Sequence, residues 1–170
     1  MVIMTSENAP KHPDLPPGPR RLRRLAEVWT SRGRPLFFVT ICTHERHRWL
    51  ASKEILDAFI NFCGQSPTKA QVWVGSFVLM PDHLHMFVSA EGSQHLSRWV
   101  GSLKGFLSSR KRALGIPGEA WQEGFFDHLL RDTESYSEKW AYVRLNPVRA
   151  GLVEKPEQWP FMGEVHRIAW

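Results

Sequence analysis

The sequence predicts an α+β fold of the ferredoxin-like type: an antiparallel sheet in β-α-β-β-α-β order, with helices on one face and a further helix toward the C-terminus. Three observations predict it. Val72 to Leu79 and His83 to Ser89 are rich in β-branched and aromatic residues and flank the turn-forming pair Pro81-Asp82, which reads as a hairpin. Two stretches carry apolar residues at helical spacing, one on each side of that hairpin in the chain. One extended stretch precedes the first helix and another follows the second, so the elements alternate as a split β-α-β unit requires.

Residues 1–33 hold many of the prolines and then Arg20, Arg21, Arg23 and Arg24, and are expected to form a mobile basic arm. Residues 34–170 are expected to form one domain with a short C-terminal tail. Its first strand runs from Leu36 to Thr43, directly after Pro35. Ser52 can N-cap a helix through Ile55, Leu56, Phe59, Ile60 and Cys63, and Gly64 can end it. Ser93 can cap the second helix, whose apolar stripe is Leu96, Trp99, Val100, Leu103, Phe106 and Leu107. Ser97, Lys104, Ser108 and Lys111 fall on its other side, and Gly115 can stop it. Trp121 to Leu130 is expected as the fourth strand, weakened by Gly124. A helix is expected from about Glu134 to Leu145, and Asn146 as N-cap with Pro147 after it can start a short one that ends near Gly151.

The chain of 170 residues, 42% hydrophobic, is long enough for one domain with a real core. It has no apolar run of bilayer-spanning length and no apolar signal segment near its start, so a cytoplasmic protein without membrane contact is expected. Cys42 and Cys63 lie in apolar segments and read as buried thiols; without a CxxC, a thiolate zinc site is not expected. The formal charge is +5, with cations in clusters that include Arg46 and Arg48, and Arg110, Lys111 and Arg112. Such clusters suit a nucleic-acid backbone, and they also suit an ordinary solvated surface.

Chemistry concentrates in His83-Leu84-His85. On a strand, alternate residues share a face. Leu84, Met86 and Val88 then read as core, and His83, His85 and Phe87 face the open side of the sheet, where Phe87 could stack on unpaired bases. Two same-face imidazoles are half of a metal site; the plain rival is a pair of structural histidines. A metallohydrolase would need a further carboxylate, such as Asp82 or Asp127. Of the two tyrosines, Tyr136 shares a helical stripe with Trp140 and Val143 and reads as packing, whereas Tyr142 lies about 120° away. His44, His47, Lys104 and Arg149 are candidate phosphate contacts that equally read as solvated groups, and His128 reads as structural or as a support for a metal ligand.

The order Met80-Pro81-Asp82-His83-Leu84-His85, then Trp121-Gln122-Glu123-Gly124-Phe125-Phe126-Asp127, then Tyr142-Val143-Arg144-Leu145-Asn146-Pro147-Val148-Arg149-Ala150-Gly151-Leu152-Val153 resembles the single-tyrosine HUH transposases, most closely their REP-associated branch. The likeness runs from about Pro35 to Pro160. It implies that residues 34–170 are an HUH transposase domain acting on hairpin-bearing single-stranded DNA. It implies Tyr142 as nucleophile, forming a 5′-phosphotyrosine, and His83, His85 and Asn146 as ligands of a divalent metal, Mg²⁺ or Mn²⁺. Arg110, Lys111 and Arg112, with Lys104 and Arg149, are then expected at the DNA. Capping a helix would claim the same Asn146 oxygen that a metal would use. A domesticated hairpin-binding protein without transposition is the alternative within the resemblance, and both monomers and homodimers are open.

Overall fold

The computed structural model describes residues 34–130 and 133–168, so the basic arm expected over residues 1–33 lies outside the described residues. The elements are β1 (Leu36–Cys42), α1 (Lys53–Gly64), α2 (Ser66–Ala70), β2 (Trp73–Leu79), β3 (His83–Ser89), α3 (Ser93–Ala113), β4 (Phe126–Leu130), α4 (Thr133–Val143), α5 (Asn146–Arg149) and β5 (Met162–Glu164), with 3-10 turns at His44–Arg46 and Pro156–Gln158. The sheet order is β4-β1-β3-β2-β5 and each of its four pairings is antiparallel. The first four strands are the ferredoxin-like sheet, and β5 adds a fifth at the β2 edge.

Local chemistry explains most boundaries. Ser52 caps α1, its hydroxyl accepting from Ile55 N at 3.3 Å. The α3 cap is Gly92 rather than Ser93, which is the first helical residue. Gly115, at φ 72°, closes α3, with Ile116 N donating to Lys111 O. Gly124, also at φ 72°, breaks the expected fourth strand. What remains is an isolated bridge between Thr43 and Trp121 and the five residues of β4.

The core lies between one face of the sheet and the pair α1 and α3. Phe37, Val39, Ile41, Leu84, Met86 and Val88 meet Ile55, Phe59, Leu96, Trp99, Leu103 and Leu107 there. Cys42 and Cys63 are free and buried, as their apolar settings suggested.

The opposite face is not open. Helix α4 covers part of it: Phe87 is fully buried, 4.4 Å from the Tyr136 ring and 6.3 Å from Trp140. Phe87 is therefore core and cannot stack on unpaired bases. Val143, near the end of α4, packs with Val78, Met80 and Trp159, so that end sits over the β2 end next to the Pro81-Asp82 turn. The Tyr136–Trp140–Val143 stripe was legible; what it would cover was not.

Candidate active site

The site is built on the β3 start and on the turn before it. His83 and His85 share a face, with ring centroids 4.7 Å apart and nearly perpendicular rings. His85 lies opposite Thr40 of β1, whose hydroxyl is 2.8 Å from His85 Nδ1. Phe38 stacks on the same imidazole at 5.4 Å. The His83 Nδ1 is 2.6 Å from Asp82 Oδ1, and the other Asp82 oxygen takes Arg46 Nε at 2.9 Å. Both imidazoles are thus held on their Nδ1 side, which directs Nε2 as the ligating nitrogen.

The turn carrying Asp82 is held from the β1 side. Thr43 N and Oγ1 both donate to Asp82 O, and Trp49 N and Leu50 N both donate to Pro81 O. Burial, then the charges of His83, Arg46 and Arg149, push His85 well below the ordinary histidine pKa, against the pull of Asp82. Burial would raise the Asp82 carboxyl; the hydrogen bond and charge of His83, with Arg46, outweigh it and hold Asp82 below its usual value.

Tyr142 is 48% exposed, as its place off the packing stripe predicts. Arg149 sits 3.8 Å over its ring and donates to Tyr142 O at 2.9 Å and to Asn146 Oδ1. Asn146 is the first residue of α5 and makes no capping bond, so the rival for its oxygen is Arg149 rather than a helix cap. Arg149 links Tyr142 to Asn146, and its charge is felt at His85.

The other expected cations divide. Arg110 and Arg112 are exposed near the end of α3, Arg110 against Phe106. Lys111 is 2% exposed and donates to the carbonyls of Pro117, Gly118 and Glu119. Its expected DNA contact is corrected: this ammonium is spent on holding a loop, because the helix turns it inward. Lys104 ties Gln122 O at 2.8 Å and Gly124 O at 3.0 Å, and burial lowers its pKa against the pull of Cys42 and Glu123. His44 pairs with Glu119 at 3.2 Å, and His128 is exposed on β4.

Sequence reasoning missed Thr40, the part played by Asp82, and Arg46. Thr40 was detectable as the polar residue alternating with Val39 and Ile41; Arg46 was not, because its reach depends on an unusual turn. Phe126, 37% exposed, pairs with Thr40 and so shares the row of His85. It is the exposed aromatic that Phe87 was expected to be.

A family model described as Transposase IS200 like matches residues 37–143. The chain belongs to the IS200-like transposase family. The REP-associated tyrosine transposase of Escherichia coli (strain K12) is 32% identical over 90 residues, which are 52% of this chain and 52% of that protein. The match therefore spans about half the length of that relative. A solved structure described as a REP-associated tyrosine transposase bound to a REP hairpin superposes with a TM-score of 0.62 at 21% identity. It covers 85% of this chain and 96% of that one, which shows a common fold. Among the described residues, no helix is long and apolar enough to cross a membrane.

Proposed function

We propose that this transposase is a metal-dependent single-strand DNA nuclease and strand transferase of the cytoplasm, that residues 34–170 are its catalytic unit, and that Tyr142 is its nucleophile. The carrying observation is the pair His83 and His85, each held at Nδ1, with exposed Tyr142 joined to the site through Arg149.

The residues fit a divalent metal. Two oriented imidazoles and one amide oxygen make a mixed nitrogen and oxygen set that suits Mn²⁺, and Mg²⁺ less well. The third protein ligand is open: among the described residues, no three His, Cys, Asp or Glu side chains gather to hold a metal ion. We assign it to Asn146, whose oxygen also accepts from Arg149 and has a second lone pair. The metal would polarise the scissile phosphate and offset its growing negative charge.

The protein's own groups do the rest. The Tyr142 hydroxyl oxygen attacks phosphorus and loses its proton; the bond to the 3′ oxygen breaks, and that oxygen takes up a proton. The 5′ phosphate stays on Tyr142. The phosphodiester energy is conserved, so the step reverses and the strand can pass to another 3′ hydroxyl. Arg149 gives the phosphate a positive partner, and exposed Arg110 and Arg112 suit the backbone of a hairpin. Hairpin binding by the relative of known structure supports the same substrate class here.

The test is a labelled single-stranded hairpin oligonucleotide with Mn²⁺. A covalent DNA–protein adduct is expected on denaturing gels, lost in Tyr142→Phe and in the His83→Ala/His85→Ala double variant. Cleavage that persists in Tyr142→Phe, with no adduct, sinks the proposal.

A further inference from the structure

We infer that Arg46 is a positioning residue for the His83 ligand: through Asp82 it sets which imidazole nitrogen carries the proton and which meets the metal. This rests on the metal reading above. Arg46 lies in the 3-10 turn that follows β1, and the turn is strained. Glu45 has φ 45° and Arg46 has φ 59°, two consecutive non-glycine residues in the left-handed region. The turn is bonded on both sides: His44 N donates to Ala120 O at 3.1 Å, and His47 N to His44 O at 2.9 Å.

This backbone brings the Arg46 guanidinium back under the site. Its Nε meets Asp82 Oδ2 at 2.9 Å, one terminal nitrogen meets Cys42 Sγ at 3.2 Å, and the other lies 3.3 Å from His83 Nδ1. With one carboxylate oxygen held by Arg46, Asp82 turns the other to His83 Nδ1 at 2.6 Å. A carboxylate oxygen that close to a ring nitrogen requires a proton between them. The longer Arg46 approach to the same nitrogen is then not a donation, because that nitrogen already carries hydrogen. The proton sits on Nδ1 and the lone pair on Nε2, the form that can bind a cation. The opposite tautomer has a hydrogen where the metal must go. Pairing with Arg46 also keeps Asp82 from rotating to ligate the ion itself.

The test reads the tautomer and the metal separately. Side-chain ¹⁵N NMR of the metal-free, DNA-free protein at about pH 8, above the ordinary histidine range, reports the His83 tautomer. Electron paramagnetic resonance then measures Mn²⁺ binding without DNA. The unaltered protein is expected to show hydrogen on His83 Nδ1. Arg46→Ala should populate the other tautomer and weaken Mn²⁺ binding about 10-fold or more, the usual effect of losing a ligand's partner. Arg46→Lys, which keeps the charge beside Asp82, should restore part of both. Should Arg46→Ala not fold, Asp82→Asn breaks the same ion pair at constant size and is expected to act in the same direction. Arg46→Ala with an unchanged tautomer and Mn²⁺ affinity within about twofold overturns the inference, as does hydrogen on Nε2 in the unaltered protein. Failure of the unaltered protein to bind Mn²⁺ overturns the metal reading instead, and the role of Arg46 is then decided by the tautomer.

Discussion

Lys111 and Arg112 are neighbours with opposite surroundings. Lys111 is enclosed against three loop carbonyls, and Arg112 is in solvent. Lys111→Met should cost about 1–3 kcal/mol, because those carbonyls lose their donor, and leave the salt dependence of hairpin binding unchanged. Arg112→Ala should stay within about 0.5 kcal/mol in stability and reduce the salt slope by about one unit. Thermal melts and binding titrations at several salt concentrations check both. His85 carries a pH consequence. Its folded pKa lies well below the unfolded value, first because of burial and then because of neighbouring cations. Between those two values the unfolded chain holds a proton that the folded one lacks. Stability is therefore full above about pH 6.5, the unfolded value, and falls as pH drops below it toward the depressed folded value. In metal-free protein, His85→Gln should flatten this acid-side decline in Tm; an equally steep decline would remove His85 as its cause. The pairing of His83 with His85 was legible because strand alternation puts both on one face. Arg46 was not, because nothing in Glu45-Arg46 announces left-handed backbone.

At the scale of elements, α4 decides where the tyrosine stands. Its packing stripe rests on Phe87, and the Tyr136 hydroxyl lies 2.9 Å from Ser76 Oγ on β2. Tyr136→Phe removes that bond and keeps the ring contact. It should cost about 0.5–1.5 kcal/mol in chemical denaturation and leave adduct formation within about twofold, in contrast to Tyr142→Phe. Adduct loss in Tyr136→Phe would mean that the two tyrosines are misassigned. The helical count separated the packing tyrosine from the exposed one, because one face of α4 must be buried. The short α2 escaped detection: five residues with Pro67 in the first turn carry too little periodicity to register. The fourth strand is shorter than its residue types suggest, because Gly124 takes a positive φ and interrupts the extended backbone before β4.

Over the whole molecule, the sheet carries helices on both faces, α4 covering part of the second, and its β2 edge is closed by the C-terminal segment. β5 pairs with β2, Leu79 N donates to Phe161 O at 2.8 Å, His166 N to Val74 O at 2.8 Å, and Trp159 Nε1 to Leu79 O at 3.0 Å. Ending the chain after Gln158 would uncover this edge and the end of the hairpin that leads to His83. The shortened protein should melt at lower temperature and associate through the bare strand, as light scattering would show. An unchanged melting curve and a monodisperse sample would show that the segment is not part of the fold's stability.

Residue patterning by itself determined the order of β1 to β4 with α1, α3 and α4, the face shared by His83 and His85, and Tyr142 as the outlying tyrosine, because periods of two and 3.6 are local properties of backbone geometry. Tertiary structure alone decided that α4 covers part of the second face over Phe87, that Lys111 turns inward, and that Arg46 reaches Asp82. Each of these depends on groups brought together from distant parts of the chain or on a turn whose conformation is not written in its residue types. Local periodicity carries no record of which faces meet.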